Sequence, residues 1–244
     1  MYPASFISHK IILIWNNHKH GILLTDIMAE KITVSEKIGE VSYELLSAPS
    51  AKAVMVLSHG AGAGMHHPFM NSLAHELAEA GISTLRFNFP YMENGKRRPD
   101  PPQIALKTIE AAIKQAQQLF PRLPVLAGGK SFGGRMTSLY AASNPHNLTG
   151  VVFYGFPLHP PGKPSVDRAG HLGKISCPML FLQGTRDKLA TPHLIRQVTE
   201  PLPNTTLINL EGADHSFHML KRSGITDEQM LSQLALHTRK WLPV

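Results

Sequence analysis

Pro124-Val-Leu-Ala-Gly-Gly-Lys-Ser-Phe-Gly-Gly134 is the stretch that decides how this chain is read. Its apolar start predicts a short buried strand, its glycines a sharp turn, and the residues from about Gly133 to Ser143 a helix. Gly129-Lys130-Ser131-Phe132-Gly133 matches G-x-S-x-G. In that pattern the serine occupies a strained strand-to-helix corner, so its hydroxyl projects clear of the sheet. The flanking glycines remove side chains that would collide in so tight a turn. The helix that follows points its positive end at the serine, where negative charge develops during acyl transfer.

So short a pattern recurs by chance, and its plain alternative is a Gly-rich loop with a capping serine. Context favours the corner, because the match follows an apolar run and precedes a helical one. Two rival motifs fail. Gly-Lys-Ser also ends a phosphate-binding loop, but Pro124 stands where that motif starts with glycine. Gly60-Ala-Gly62-Ala-Gly64 suggests a dinucleotide loop, but Met65 stands where its third glycine is required.

The 244 residues suit one large α/β domain, and an apolar content of 43% supports a sizeable core. The formal charge of +7 favours attraction to anions, but the basic residues are scattered and form no stripe, so no nucleic-acid partner is expected. No run is long enough to span a membrane. Ile11-Ile-Leu-Ile-Trp15 is too short for a signal-peptide core and no small-residue cleavage site follows it. The lone Cys177 excludes an internal disulfide and fits a reducing, cytoplasmic setting; beside Pro178 it reads as buried filler.

Residues 1–27 mix short apolar clusters with Asn and His and have no clear period. They read as a poorly ordered extension or a start-site artefact, with Met28 as the natural start and 28–244 as the domain. Abundant native peptides from before Met28, seen by mass spectrometry, would contradict this.

From there strands and helices alternate. Strands are expected at Lys31–Glu36, Glu40–Leu46, Ala53–Ser58, Ser83–Phe89, Val151–Tyr154, Met179–Leu182 and Thr205–Leu210. Helices are expected at Pro68–Glu79, Ile104–Leu119, Pro192–Thr199 and Asp227–Trp241. Pro90–Pro102 reads as a loop, and Pro157–Lys174, rich in Pro and Gly, is too short for a separate cap domain. The alternation implies a mostly parallel sheet covered on both faces.

A serine hydroxyl is a poor nucleophile until a base takes its proton, and the base needs an acid to orient it. Gln183-Gly-Thr-Arg-Asp187 follows one predicted strand and Glu211-Gly-Ala-Asp-His215 another. Ser131, Asp187 and His215 therefore stand in the order nucleophile, acid, base, each just past the carboxyl end of a strand, the edge where open α/β sheets bind ligands. Asp214 is a competing acid, but adjacency to His215 makes it a poor orienter of that ring. His218 lies three residues on, a spacing that would share a helical face with His215, yet no third ligand is evident and no metal is expected. His66 and His67 read as the start of a helix. The backbone N–H groups of Phe132 and Ala61 are the expected oxyanion donors, with Gly62 the alternative to Ala61. Lys130 reads as cover for the elbow. Lys96-Arg97-Arg98 reads as a solvated turn or as a rim for an acidic substrate.

With these residues in view, the chain from about Met28 onward resembles an α/β-hydrolase. More closely it resembles the branch of predicted hydrolases related to testis-expressed protein thirty and to the third regulatory subunit of the NSL histone-acetyltransferase complex. The stretches that carry this are Leu57-Ser-His-Gly-Ala-Gly, Phe89-Pro-Tyr-Met-Glu, Gly128-Gly-Lys-Ser-Phe-Gly-Gly-Arg135, Pro157-Leu-His-Pro-Pro-Gly-Lys163, Gln183-Gly-Thr-Arg-Asp187 and Gly212-Ala-Asp-His215. It is more distantly similar to dienelactone hydrolases, which carry cysteine where this chain has Ser131. The resemblance implies the fold and supports the three residues; it implies no defined substrate, and some relatives are complex subunits. The expectation is thus a cofactor-free serine hydrolase of a small ester or thioester. A scaffold with a vestigial triad and an acyltransferase are the alternatives.

Overall fold

The computed structural model describes residues 30–145 and 147–243; the expectation for residues 1–27 lies outside them. The continuous apolar runs become the central strands. β3 (Ala53–Ser58), β4 (Ile82–Phe87), β6 (Gly150–Tyr154) and β7 (Met179–Gly184) are buried at every residue, as strands covered on both faces must be. β5 (Val125–Lys130) lies among them, and β8 (Thr205–Leu210), with its mixed burial, forms one edge. β1 (Glu30–Ser35) and β2 (Gly39–Leu46) form the other side as a hairpin turned at Gly39. The order is β1-β2-β4-β3-β5-β6-β7-β8, antiparallel where β2 meets β1 and β4, and parallel from β4 onward.

Alternation along β3 separates two cores. Met55 and Leu57 face α1 (Pro68–Glu79) and α6 (Asp227–Trp241), while Val54 and Val56 face α3 (Pro102–Leu119) and α4 (Phe132–Ser143). α3 buries Ala105, Thr108, Ile109, Ala112, Ile113 and Ala116, one stripe at helical spacing. A third core joins α4, the segment after β6 and α5 (Pro192–Thr199) through Phe153, Phe156, Leu158, Leu172, Phe181 and Ile195. The helix ends follow their chemistry. His67 caps α1 ahead of Pro68, Gly81 (φ +81°) follows its end, and Thr226 and Gln229 form a reciprocal capping box on α6.

Two expectations change. β4 stops at Phe87, and Pro90–Glu93 forms one helical turn, α2, inside the expected loop. Tertiary partners explain this. Phe89 N–H donates to the His59 ring at 3.0 Å and so leaves the ladder, while Asn88, whose N–H still donates to Ser42 O at 3.0 Å, is tied through Oδ1 to Met65 N–H at 2.9 Å. Glu93 then pins the turn by accepting from Lys31, Ser42 and Asn88; against partial burial, these donors hold its carboxyl down to about 2. Residues 157–174 carry two short 3₁₀ turns, Asp167–Ala169 and Leu172–Lys174, and no cap domain.

Candidate active site

The elbow is built on close approach. Ser131 has φ 50° and ψ −112°, a conformation that costs an L-residue about 1–3 kcal/mol. Its N–H donates to Tyr154 O at 3.2 Å and its carbonyl accepts from Arg135 N–H at 3.0 Å, so the strain is held from both sides. A Cβ on Gly129 would lie 2.7 Å from backbone atoms of Gly133, Gly134 and Ser58. One on Gly133 would lie 2.5 Å from the carbonyl oxygens of Ser58 and His59. The glycines thus let α4 sit directly on β3 and β5, with Ser131 at its N-terminus.

The structure brings Ser131, His215 and Asp187 together. His215 Nε2 lies 2.8 Å from Ser131 Oγ, and His215 Nδ1 lies 2.7 Å from Asp187 Oδ2. A carboxylate only accepts, so Nδ1 carries the proton and Nε2 presents its lone pair to the serine hydroxyl. Asp187 is 2% exposed and held on both oxygens. Leu189 N–H donates to Oδ1 at 2.7 Å, and Gln183 Nε2 to Oδ2 at 2.5 Å. Gln183 in turn accepts from Phe156 N–H at 2.9 Å, tying the acid to the segment after β6. Asp214 does different work. Its Oδ1 accepts from the N–H groups of Ser216 (2.8 Å) and His218 (3.0 Å) and shapes the turn that carries His215.

The opposite wall is the loop after β3. His59 is fully buried, and burial pushes its imidazole down to about 4, so it stays neutral at neutral pH. Its tautomer follows from its partners: Nδ1 donates to Gly60 O at 2.9 Å and Nε2 accepts from Phe89 N–H. Tyr91 OH also donates to Gly60 O, at 3.4 Å, and Ala63 N–H does so at 3.3 Å. In a trans peptide the carbonyl and the next N–H point in opposite directions. Pinning the Gly60 carbonyl inward therefore turns Ala61 N–H the other way; a Cβ on Gly60 would stand 3.9 Å from Ser131 Cβ, so this loop borders the elbow. Phe132 N–H opens α4 at the elbow. Among the described residues neither amide has a backbone acceptor. The Phe132 ring packs edge-on to Phe89 (5.4 Å) and Tyr91 (6.4 Å), and His59 lies edge-on to the same two rings.

Lys96, Arg97 and Arg98 stand exposed beyond Tyr91, lining an open concavity of about 850 Å³ with Asp100. Asp100 accepts from Tyr91 N–H at 2.7 Å, which folds this loop back onto the wall. His67 caps α1, and His66 lies 3.4 Å from Glu44. His218 pairs with Asp227 at 2.6 Å instead of joining His215. Cys177 is half-buried, and burial pushes its thiol up. Sequence reasoning assigned no role to Gln183, His59 or Tyr91. Each was inside a quoted stretch, but each also bonds a distant segment, Gln183 to Phe156, His59 to Phe89 and Tyr91 to Gly60, so no local pattern marked it.

Residues 51–243 match the family described as the alpha/beta hydrolase domain. Over 119 residues the chain is 29% identical to a proline iminopeptidase of Thermoplasma volcanium; the match covers 47% of this chain and 38% of that relative. Among solved structures, a lidless α/β serine hydrolase of Xanthomonas campestris superposes with a TM-score of 0.69 at 20% identity, covering 92% of this chain and 99% of that one. A dienelactone hydrolase of Anabaena variabilis superposes with a TM-score of 0.68 at 19% identity, covering 88% and 95%. At such identities the likeness is one of fold.

Proposed function

The chain belongs to the α/β-hydrolase domain family, and from that premise we propose that it is a serine hydrolase cleaving a small ester or thioester through an acyl-enzyme. The observation that carries this is the unbroken relay from Ser131 Oγ through His215 to Asp187, with contacts of 2.8 and 2.7 Å, on a strained elbow. Ser131 Oγ attacks the acyl carbon while its proton passes to His215 Nε2. Asp187 holds the imidazolium that forms. The tetrahedral oxyanion is met by the amides of Phe132 and Ala61. As the intermediate collapses, His215 gives the proton to the departing alcohol or thiol. Water then repeats the sequence on the acyl-enzyme and frees the acid and Ser131. Each step uses only this chain and water, so no metal or cofactor enters.

The Lys96-Arg97-Arg98 rim is assigned to drawing in acidic substrates. The sequence stretches quoted above support a finer placement beside the relatives of testis-expressed protein thirty. The lone half-buried Cys177 supports a reducing, cytoplasmic setting. Among the described residues no helix is long and apolar enough to cross a membrane.

The test is a panel of p-nitrophenyl esters, acyl thioesters and an aminoacyl amide, with wild type beside Ser131→Ala. Turnover of an ester or thioester that falls at least a thousandfold in Ser131→Ala, with unchanged thermal stability, is expected. Equal turnover by the variant would refute the assignment. Preference for the amide would make this a peptidase, and product diverted to an added alcohol or amine at water's expense would make it an acyltransferase.

A further inference from the structure

The relay leaves one charged side chain at the elbow without a task. Lys130 immediately precedes Ser131, yet its ammonium turns inward. Nζ donates to the main-chain oxygen of His215 at 2.5 Å. It also lies 5.3 Å from the ring centre of Phe217 and 5.9 Å from that of Phe69. Those rings stack on each other at 5.8 Å, 14° from parallel. Lys130 is half-buried as a residue; its stem passes Gly60 and its ammonium end is enclosed. Gly155 leaves the room for it: a Cβ there would stand 3.2 Å from Nζ and 3.4 Å from His215 O.

His215 is carried by a loop, not by a regular element, and that loop is strained. Phe217 has φ +66° while being 3% exposed. A bulky residue keeps a left-handed backbone only where its surroundings over-determine it. Here the fastenings are the Asp214 turn, the Phe69 stack and the Lys130 ammonium. The last reaches from the elbow, as the Ser131 hydroxyl does to the ring, and it grips the base's own carbonyl.

We propose that Lys130 is a positioning residue that latches the His215 loop to the nucleophile elbow, so that a base and a nucleophile 84 residues apart keep their register. Its consequence for turnover rests on the serine-hydrolase reading; the latch itself does not. The charged groups facing the ammonium are Asp187 and Asp214, with the His215 ring beside it. Burial pushes the amine down to about 8, against the pull of those two carboxylates. Charge assistance and the attraction to Phe217 both need the proton, so the latch slackens as pH rises through about 8.

Lys130→Met keeps the apolar stem and removes the donor and charge; Lys130→Arg keeps both and does not titrate in this range. Hydrogen exchange of amides 214–219 would be followed by mass spectrometry, with kcat and KM measured against pH. We expect exchange in that segment to quicken at least tenfold in Lys130→Met, and kcat to fall at least tenfold with KM within twofold. Wild-type kcat should decline above about pH 8, and the decline should be absent in Lys130→Arg. Exchange and kcat in Lys130→Met matching wild type would overturn the latch. So would a wild-type alkaline decline that persists in Lys130→Arg. Should Lys130→Met not fold, wild-type exchange at 214–219, corrected for intrinsic rate, must still rise above pH 8; a flat profile overturns the proposal. A loop that loosens in Lys130→Met, in a protein that neither turns over esters nor reacts with a fluorophosphonate, upholds the latch and sinks the hydrolase reading.

Discussion

At His59 one neutral ring sets two backbone groups at once, the Gly60 carbonyl through Nδ1 and the Phe89 amide through Nε2. Protonation would turn Nε2 into a second donor facing the Phe89 N–H, so the fold resists it. The folded ring titrates near 4, against 6.5 when free. Between those values the unfolded chain binds a proton that the folded chain refuses. Stability is therefore full above pH 6.5 and falls as pH drops toward 4, by about 3 kcal/mol. Urea unfolding at pH 7 and at pH 4.5 would measure it, with His59→Gln as the reference that removes this group alone. A wild-type acid loss no larger than the variant's would show that the ring is not held neutral. Lys130 works with the same sign at the other end of the scale. Its folded value of about 8 against 10.5 makes the folded state gain relative stability as pH rises between them, while the latch on His215 loosens.

The elbow is the element on which the rest depends, and sterics govern it. Gly133→Ala would put a methyl 2.5 Å from two backbone oxygens that belong to β3 and its following residue. Neither can swing aside, so α4 must lift off the sheet. We expect a loss above about 3 kcal/mol in denaturant unfolding. Gly170→Ala, whose Cβ would meet its nearest neighbour at 3.8 Å, should change stability by less than about 0.5 kcal/mol. A Gly133→Ala protein as stable as wild type would contradict the packing described. This element was legible from sequence because the need for small residues at fixed offsets is local. The stretch from Asn88 to Glu93 was not. Its apolar text reads as strand followed by loop, but His59, 30 residues away, takes the Phe89 N–H, Met65, 23 residues away, holds the Asn88 side chain, and Glu93 fastens it to β1 and β2. No local period records partners at that distance.

Across the whole molecule, parallel strands deliver their carboxyl ends to one edge, and that is why widely separated residues meet. Ser131 follows β5, Asp187 lies three residues past β7, and His215 five past β8. That each follows a strand could be read from the chain, although β7 runs on to Gly184 where Leu182 was the expected end, so the shared edge was foreseeable. What fastens them was not, since Lys130 and His59 act through contacts to distant segments, and Gln183, local to Asp187, is itself held by Phe156, just past the neighbouring strand's end. The central claim is that this edge holds an activated serine. Labelling of the folded protein by a fluorophosphonate probe, wild type beside Ser131→Ala, tests it most directly. The account predicts stoichiometric labelling of wild type on Ser131 and none of the variant. A folded wild type that the probe leaves unlabelled would contradict it and move the weight to a scaffold that keeps the three residues without using them.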